Sequence, residues 1–121
     1  MSKYCGGTWR GLADHLDYIS SMGFDAIWIS PIVKNSKDGY HGYWTTDWED
    51  VNEHFGTEDD LHYLVSQAHS KNIFVMVDVV ANHVAYVSKV DEVEDFSSIN
   101  PFNKPEYYHD DCEITDYDDH W

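Results

Sequence analysis

The sequence IFVMVDVVANH at residues 73–83 decides the fold of this chain, because an unbroken apolar run ends there in two polar residues. Residues 73–80 are rich in β-branched side chains and lack period-two alternation, which predicts a strand covered on both faces of a parallel sheet. Asp78 lies inside this run, where a buried carboxylate needs hydrogen bonds or an ion pair. Structural and functional roles for Asp78 both remain open on this pattern.

Two polar residues, Asn82 and His83, follow where the predicted strand runs out. They therefore lie at its carboxyl end, which is where parallel α/β folds bind their ligands. We interpret Asn82 and His83 as candidate site residues on this ground.

A helix and a second strand are predicted upstream of this run. Thr8 can cap the helix, and Gly23 can end it in the left-handed conformation. Residues 24–30 form a second apolar run that Pro31 stops, so we predict a strand there. The apolar stripe of the helix consists of Leu12, Leu16, Ile19 and Met22.

The connection between the two strands contains a long loop and a second helix. Residues 31–56 are rich in Gly, Asp, Asn and aromatic residues, which predicts an irregular loop of a length that is usually functional. Thr57 and Asp60 have capping-box spacing at the start of a helix that closes at Lys71 and Asn72. The order helix, strand, loop, helix, strand predicts a (β/α) repeat with a right-handed crossover.

The organisation predicted for the chain is an incomplete α/β unit. The 121 residues allow one domain at most, and two parallel strands leave both sheet edges bare, so the chain looks incomplete. Residues 84–121 have no sustained period and contain two prolines. They predict an irregular excursion or the start of a separate small domain.

Charge and hydropathy exclude several partners. The formal net charge is −16, and residues 88–121 hold eleven acidic residues against two lysines, so nucleic acid is a poor partner. Cation binding, a neutral substrate and a solvated acidic surface all remain open. No stretch approaches the ~20 apolar residues of a membrane span, which predicts no membrane partner. The amino end has no apolar signal-peptide region, so the chain taken literally would be cytoplasmic.

An aromatic cluster, YHGYW at residues 40–44, lies in the long loop. Aromatic rings beside a histidine suit a sugar, because the apolar face of a pyranose stacks on Tyr or Trp while imidazole and amide groups bond its hydroxyls. A loop that its own aromatic rings pin to the core would have the same composition. Both interpretations stay open on spacing alone.

Metal binding rests on Asn82, whose amide oxygen is a ligand type that calcium takes. The chain has no EF-hand spacing, and acidic tails are more often solvated than ligated. Possible further oxygen ligands in the tail are Asp110, Asp111, Glu113, Asp116, Asp118 and Asp119.

Complete catalytic machinery is not evident in this sequence. Glycoside hydrolysis needs two carboxylates that flank the scissile bond, and Asp78 is the single acid that the pattern places in the core. A triad of Ser30, His83 and Asp47 can be assembled on paper, but it lacks the context of a nucleophile elbow.

The sequence DVVANH at residues 78–83 resembles the first signature motif of the alpha-amylase family of glycoside hydrolases, in the version typical of secreted fungal members. This resemblance implies part of a TIM-type (β/α)8 barrel, in which residues 1–83 supply strands two and three with their helices. Residues 84–121 would begin the small domain inserted after strand three. Further motifs match in order at residues 5–9, 22–24, 26–29, 40–44 and 56–61.

The resemblance also implies substrate-binding roles on internal α-1,4 bonds of starch or glycogen. Tyr43 would stack on the sugar at the cleavage subsite, and Trp44 would bind a neighbouring glucose. His41 and His83 would hydrogen-bond substrate hydroxyls.

A structural calcium ion is implied by the same resemblance. Asn82 would be one of its ligands, and the remaining ligands would lie outside the chain. Asp78 would be a buried organiser of the site and not the nucleophile.

The departures from the family pattern are as informative as the matches. The first barrel strand and strands four to eight, which carry the family's catalytic carboxylates, have no counterpart here, so we expect no catalytic residue in this chain and no activity of the chain alone. The alternative is a non-catalytic remnant that at most binds glucan or calcium. The resemblance gives Cys5 and Cys112 partners elsewhere, so we expect them not to be joined. A full-length enzyme would be extracellular and monomeric.

Overall fold

The computed structural model describes residues 3–91, 93–110 and 115. Its helices are α1 (Trp9–Asp14), α2 (Leu16–Ser21) and α3 (Glu58–Ser70). Its strands are β1 (Ala26–Ile29), β2 (Val33–Asn35), β3 (Thr45–Val51), β4 (Phe74–Val77), β5 (Ser88–Val90) and β6 (Val93–Asp95). Two short 3-10 turns follow at Phe96–Ser98 and Pro105–Tyr107.

The predicted (β/α) repeat is confirmed by the parallel pairing of β1 with β4. Ala26 is opposite Phe74 and Ile29 is opposite Val77, with no shift of register between them. Hydrogen bonding continues past the strand end, because Asp78 N–H donates to Ile29 O at 3.0 Å. Within the described residues the strands form three two-stranded sheets and no closed barrel.

The hydrophobic core lies between this parallel pair and the helices. The inward-facing side chains of β1 and β4 pack against α1 and α3, as expected where a crossover helix covers a sheet. The buried members of the core are Trp9, Ala13, Leu16, Ile29, Leu61, Leu64, Ala68 and Ile73.

The other face of the parallel pair is open, so the prediction of a strand covered on both faces is wrong for the described residues. Phe74 is 71% exposed, Met76 57% and Trp28 69%. The helices cover one face alone, and the alternate side chains of each strand then point away from the core. These large apolar side chains are typical of a buried strand, but no described element covers them.

The first helix is capped as predicted but is not continuous. The Thr8 side chain accepts from Gly11 N–H, and the helix then breaks at His15, between α1 and α2. His15 Nδ1 lies 2.7 Å from Gly11 O, the carbonyl that the His15 N–H would use in a continuous α-helix, and that N–H instead donates to Leu12 O. Leu16 and Ile19 of the predicted stripe still pack in the core, whereas Met22, at the end of α2, is 56% exposed.

The connection from residue 31 to 56 is more regular than predicted. β2 and β3 form an antiparallel hairpin whose register shifts around Lys34. The β-formers in β3, such as Thr45, Trp48 and Val51, were a local signal for this strand. The capping box at Thr57 is confirmed, with Asp60 bonding back to the Thr57 N–H at 2.9 Å.

Two residues after position 83 are joined to β3 by backbone hydrogen bonds. Ala85 N–H donates to Thr45 O, and Asn100 N–H donates to Thr46 O, both at 2.9 Å. The division at residue 83 stays a prediction. Cys112 and the tail acids at 111, 113, 116, 118 and 119 lie outside the described residues, so the prediction that Cys5 and Cys112 are unjoined also stands untested. None of the helices in the described ranges has the length and apolar character that a bilayer span needs.

Candidate functional site

The carboxyl end of β4 carries the polar residues that the sequence pointed to. Asp78 comes directly after Val77, the last residue of β4, and Asn82 and His83 follow in the same connection. Asp78 is half-buried, so its prediction as a residue buried within the strand is wrong in position. The apolar run in the sequence is longer than the strand. Val79 lies beyond the last paired residue and is 77% exposed.

The loop between β2 and β3 is shaped by one asparagine, Asn35. Its Oδ1 accepts from Trp44 N–H at 2.8 Å, and its Nδ2 donates to Gly42 O at 3.2 Å. The turn also needs glycine at 42, where φ is +86° and a Cβ would lie 2.7 Å from Pro31 Cδ. Asn35 therefore fixes the backbone on both sides of Tyr43, a role that the sequence reasoning missed.

Two hydrogen bonds join this loop to the end of β4. His83 Nε2 lies 2.9 Å from Tyr43 O, and Tyr43 OH donates to Asp78 Oδ2 at 3.2 Å. The charge of Asp78, together with this hydrogen bond, raises the pKa of Tyr43, because both favour the protonated phenol. These contacts bring His83 and the aromatic loop together at the carboxyl end of β4.

The aromatic rings of the loop form a compact group around His41. The His41 and Tyr43 rings are stacked with centroids 5.5 Å apart, and the Trp44 ring meets His41 edge-on at 4.6 Å. His41 Nδ1 accepts from Tyr43 N–H at 3.0 Å. The rings therefore hold the loop together, and Tyr43 stays 43% exposed. The ring contacts support the interpretation of a loop held by its own aromatic residues, and the sugar-binding role stays a prediction.

A further aromatic residue, Tyr86, lies beside this group. Its ring meets Trp44 edge-on at 5.8 Å, and it is 88% exposed. Tyr86 was not predicted as a site residue, although its place three residues after His83 was a usable signal.

The triad drawn on paper from Ser30, His83 and Asp47 is not assembled. His83 Nε2 faces Tyr43 O, and Asp47 Oδ1 accepts from Asn100 Nδ2 at 2.8 Å. Each of these two side chains thus has another partner.

The prediction of a calcium ion at Asn82 stays a prediction. Asn82 is exposed, and the described residues include no group of three or more His, Cys, Asp or Glu side chains that could hold a metal ion. Calcium takes six to eight oxygen ligands, so Asn82 would have to share the ion with groups from elsewhere.

Comparison with known families and proteins connects this geometry to one group of enzymes. The family model described as "Alpha amylase, catalytic domain" matches residues 2–118. "Alpha-amylase 3" of Schizosaccharomyces pombe is 53% identical over 124 residues, covering 97% of this chain and 22% of the relative. "Alpha-amylase 1" of Schwanniomyces occidentalis is 49% identical over 123 residues, covering 97% of this chain and 24% of the relative. The chain thus spans about a quarter of the length of these curated relatives.

Solved structures give the same result in three dimensions. An alpha-amylase from Malbranchea cinnamomea superposes with a TM-score of 0.87 at 52% identity, covering 98% of this chain and 26% of that one. An alpha-amylase from Geobacillus thermoleovorans, complexed with acarbose, has a TM-score of 0.81 at 43% identity and covers 98% and 25%. The chain is therefore similar to these alpha-amylases in both sequence and fold.

Proposed function

Since this chain belongs to the alpha-amylase catalytic-domain family, we propose that it supplies part of the glucan-binding face of an enzyme that hydrolyses internal α-1,4 bonds of starch or glycogen. The observation that carries the proposal is the pair of hydrogen bonds joining Tyr43 to the end of β4, through His83 and Asp78. A ring fixed at both its backbone and its hydroxyl is a pre-organised platform for a sugar.

Tyr43 and Trp44 supply the apolar contacts in this proposal. The exposed face of Tyr43 would stack on the sugar at the cleavage subsite, and Trp44, half-buried beside it, would contact a neighbouring glucose. Aromatic platforms suit a neutral polymer because they need no charge on the ligand. The strongly acidic composition does not oppose such a substrate, since glucan carries no charge to repel.

His41 and His83 would hydrogen-bond the sugar hydroxyls. The Nδ1 of His41 accepts from Tyr43 N–H, so its Nε2 is the atom free to meet a ligand. The Nε2 of His83 faces Tyr43 O, so its Nδ1 is the free atom. In the neutral rings, Nε2 of His41 is then a donor and Nδ1 of His83 an acceptor. A sugar hydroxyl both donates and accepts, so it can pair with either ring.

Asp78 would organise the site and not attack the sugar. Its Oδ2 accepts the Tyr43 hydroxyl, and its backbone N–H continues the β1–β4 pairing, so it holds the loop against the sheet. The acid/base and nucleophile that glycoside hydrolysis requires would come from other parts of a longer protein.

The direct test uses the full-length protein that carries this chain and a maltooligosaccharide blocked at its non-reducing end. Internal cleavage of the blocked substrate is expected, with loss of most activity in Tyr43→Ala. Hydrolysis that requires an unblocked end would contradict the internal specificity. Retention in a starch gel without any hydrolysis would instead support the alternative of a non-catalytic glucan-binding remnant.

Calcium is a separate part of the proposal, with Asn82 as one ligand among several. A bound ion would supply structural support to the connection after β4, next to His83. Calcium titration of the full-length protein, followed by thermal unfolding, tests this. A stabilisation by calcium that Asn82→Ala abolishes is expected, and equal stabilisation of both proteins would remove Asn82 from the site.

Location, assembly and domain division complete the proposal. We propose that a full-length enzyme acts outside the cell as a monomer, and that residues 84–121 begin a domain inserted after β4. Secretion is tested by assaying culture medium against cell extract, and the oligomeric state by sedimentation. Limited proteolysis that leaves residues 84–121 attached to a separately folded unit would support the division.

A further inference from the structure

A hydrogen-bonded chain connects the amino-terminal segment to the aromatic loop. The hydroxyl of Tyr4 donates to Gly39 O at 3.1 Å, and the Nδ2 of Asn52 donates to that hydroxyl at 3.0 Å. Asn52 is 2% exposed, so its amide groups need partners within the protein. The chain links three segments that are distant in sequence.

The direction of the hydrogen bonds is set by a backbone amide. His54 N–H lies 3.1 Å from Asn52 Oδ1, and a backbone N–H can only donate, so this amide atom must be the oxygen. The other amide atom is then the NH2 group, which points at Tyr4. Because the Tyr4 oxygen accepts there, its own proton is directed to Gly39 O.

Gly39 is the base of the turn that presents the aromatic residues. Gly39 N–H donates to Ser36 O at 2.8 Å, and Gly42 N–H donates to Gly39 O at 2.9 Å. The Gly39 carbonyl therefore accepts from both Gly42 and the Tyr4 hydroxyl. A Cβ at Gly39 would lie 2.9 Å from Asn35 Oδ1, so the turn is packed closely on the asparagine that holds its other side.

The ring of Tyr4 is held independently of its hydroxyl. It stacks on His54 with centroids 3.8 Å apart and ring planes 2° from parallel, and it meets Phe55 edge-on at 5.8 Å. Removal of the hydroxyl alone would leave these contacts in place. The hydroxyl can thus be tested separately from the packing of the ring.

We propose that Tyr4 is a positioning residue for the glucan-binding loop, acting through its hydroxyl on Gly39. This inference rests on the proposed function, because the loop 39–44 carries the residues proposed to bind the sugar. Tyr4 itself touches no residue proposed to contact substrate. Its effect is on the placement of Tyr43 and Trp44, through the turn whose base it holds.

The first experiment measures amide hydrogen exchange in the full-length protein that carries this chain. Tyr4→Phe is expected to speed exchange at residues 40–44 about fivefold, the size expected for one neutral hydrogen bond, with α3 unchanged. Tyr4→Leu, which also loses the stacking on His54, should loosen the loop and lower overall stability. Tyr18→Phe, at an exposed tyrosine of α2, is the matched control and should change neither region.

Two exchange results would overturn the proposal. Equal acceleration in α3 and residues 40–44 of Tyr4→Phe would make the hydroxyl a general stability contact. Wild-type exchange in Tyr4→Phe, with loosening in Tyr4→Leu alone, would assign the role to the ring.

The second experiment measures steady-state kinetics on soluble starch. Tyr4→Phe should raise KM about fivefold with kcat nearly unchanged, because a misplaced binding loop weakens ground state and transition state alike. An equal loss of kcat without a change in KM would contradict a positioning role in binding. If the wild-type protein hydrolyses no α-glucan, the proposed function fails, and the exchange measurement still decides whether Tyr4 holds the loop.

Discussion

His83 Nε2 lies 2.9 Å from the carbonyl oxygen of Tyr43, although the two residues are 40 positions apart. Because a carbonyl oxygen only accepts, Nε2 carries the proton in this contact, which leaves Nδ1 as the acceptor of the neutral tautomer. This one contact fixes the tautomer of His83 and the backbone of Tyr43 together. The candidate site is therefore formed by the β2–β3 loop together with the residues that follow β4.

His83→Ala in the full-length protein should lower kcat/KM about 30-fold. The variant loses the hydrogen bond to the loop and a proposed contact with substrate, each worth about 1 kcal/mol. His69→Ala, an exposed histidine in the last turn of α3, is the control and should leave the rate unchanged. A change below about twofold in His83→Ala would show that the ring contributes to neither task.

Asp78→Asn should lower the pKa of Tyr43 towards the ordinary value of about 10. The Asp78 charge and hydrogen bond raise that pKa in the folded protein, so this contribution to stability is present below about pH 10 and lost as pH rises through the folded value. Ultraviolet titration of phenolate measures the shift, and Tyr43→Phe identifies which transition belongs to Tyr43. If the titration midpoint of Tyr43 is the same in Asp78→Asn as in the wild-type protein, Asp78 does not control the pKa of Tyr43.

The elements with local signals were predictable from the sequence, and the contacts between distant segments were not. The Thr57 capping box and the two parallel strands depend on spacing within a few residues, and their presence was predicted correctly. Asn35 and Tyr4 act on backbone groups 9 and 35 positions away, and no local pattern encodes such pairings. The loop was therefore predicted from its composition, while the residues that shape it, Asn35 and Tyr4, were missed.

The open face of the parallel pair illustrates a second limit. An apolar run records that a strand is compatible with burial, but it does not record what covers it. The position of Asp78 failed for a related reason, because the apolar character continues through Val80 while the pairing ends at Val77. Strand ends depend on the partner strand, which the run itself does not contain.

Asp60→Asn should flatten the acid side of the stability profile. Hydrogen bonds from Thr57 and from the Arg10 guanidinium lower the pKa of Asp60 to about 2. The unfolded chain holds its proton more tightly, so the stabilisation is present above about pH 4 and lost as pH falls through about 2. Urea unfolding of the full-length protein at several pH values measures this, with Asp59→Asn as a control in the same turn. Identical acid limbs in wild type and Asp60→Asn would refute it.

Residues 1–121 alone should hydrolyse no α-glucan. Asp78 is the acid that follows a strand of the parallel pair in the described residues, and the reaction needs a second carboxylate to protonate the leaving oxygen or to capture the sugar. Reducing-end release from starch, measured against a mock preparation, is the assay. Release above the mock level by purified chain would contradict the prediction.

The isolated chain should also be poorly soluble, despite its net charge of −16. Trp28, Phe74 and Met76 form an exposed apolar face on a sheet whose two edges are unpaired among the described residues, and such surfaces associate.

Phe74→Lys should raise the soluble fraction of the isolated chain, because it places a charge on that face without touching the core under α1 and α3. The same substitution should prevent folding of the full-length protein, where the barrel that the family resemblance implies would bury position 74. Tyr18→Lys, on the solvent side of α2, should have little effect in either setting. A monomeric wild-type chain with a cooperative thermal transition and no binding of a hydrophobic dye would show that the open face does not govern its behaviour.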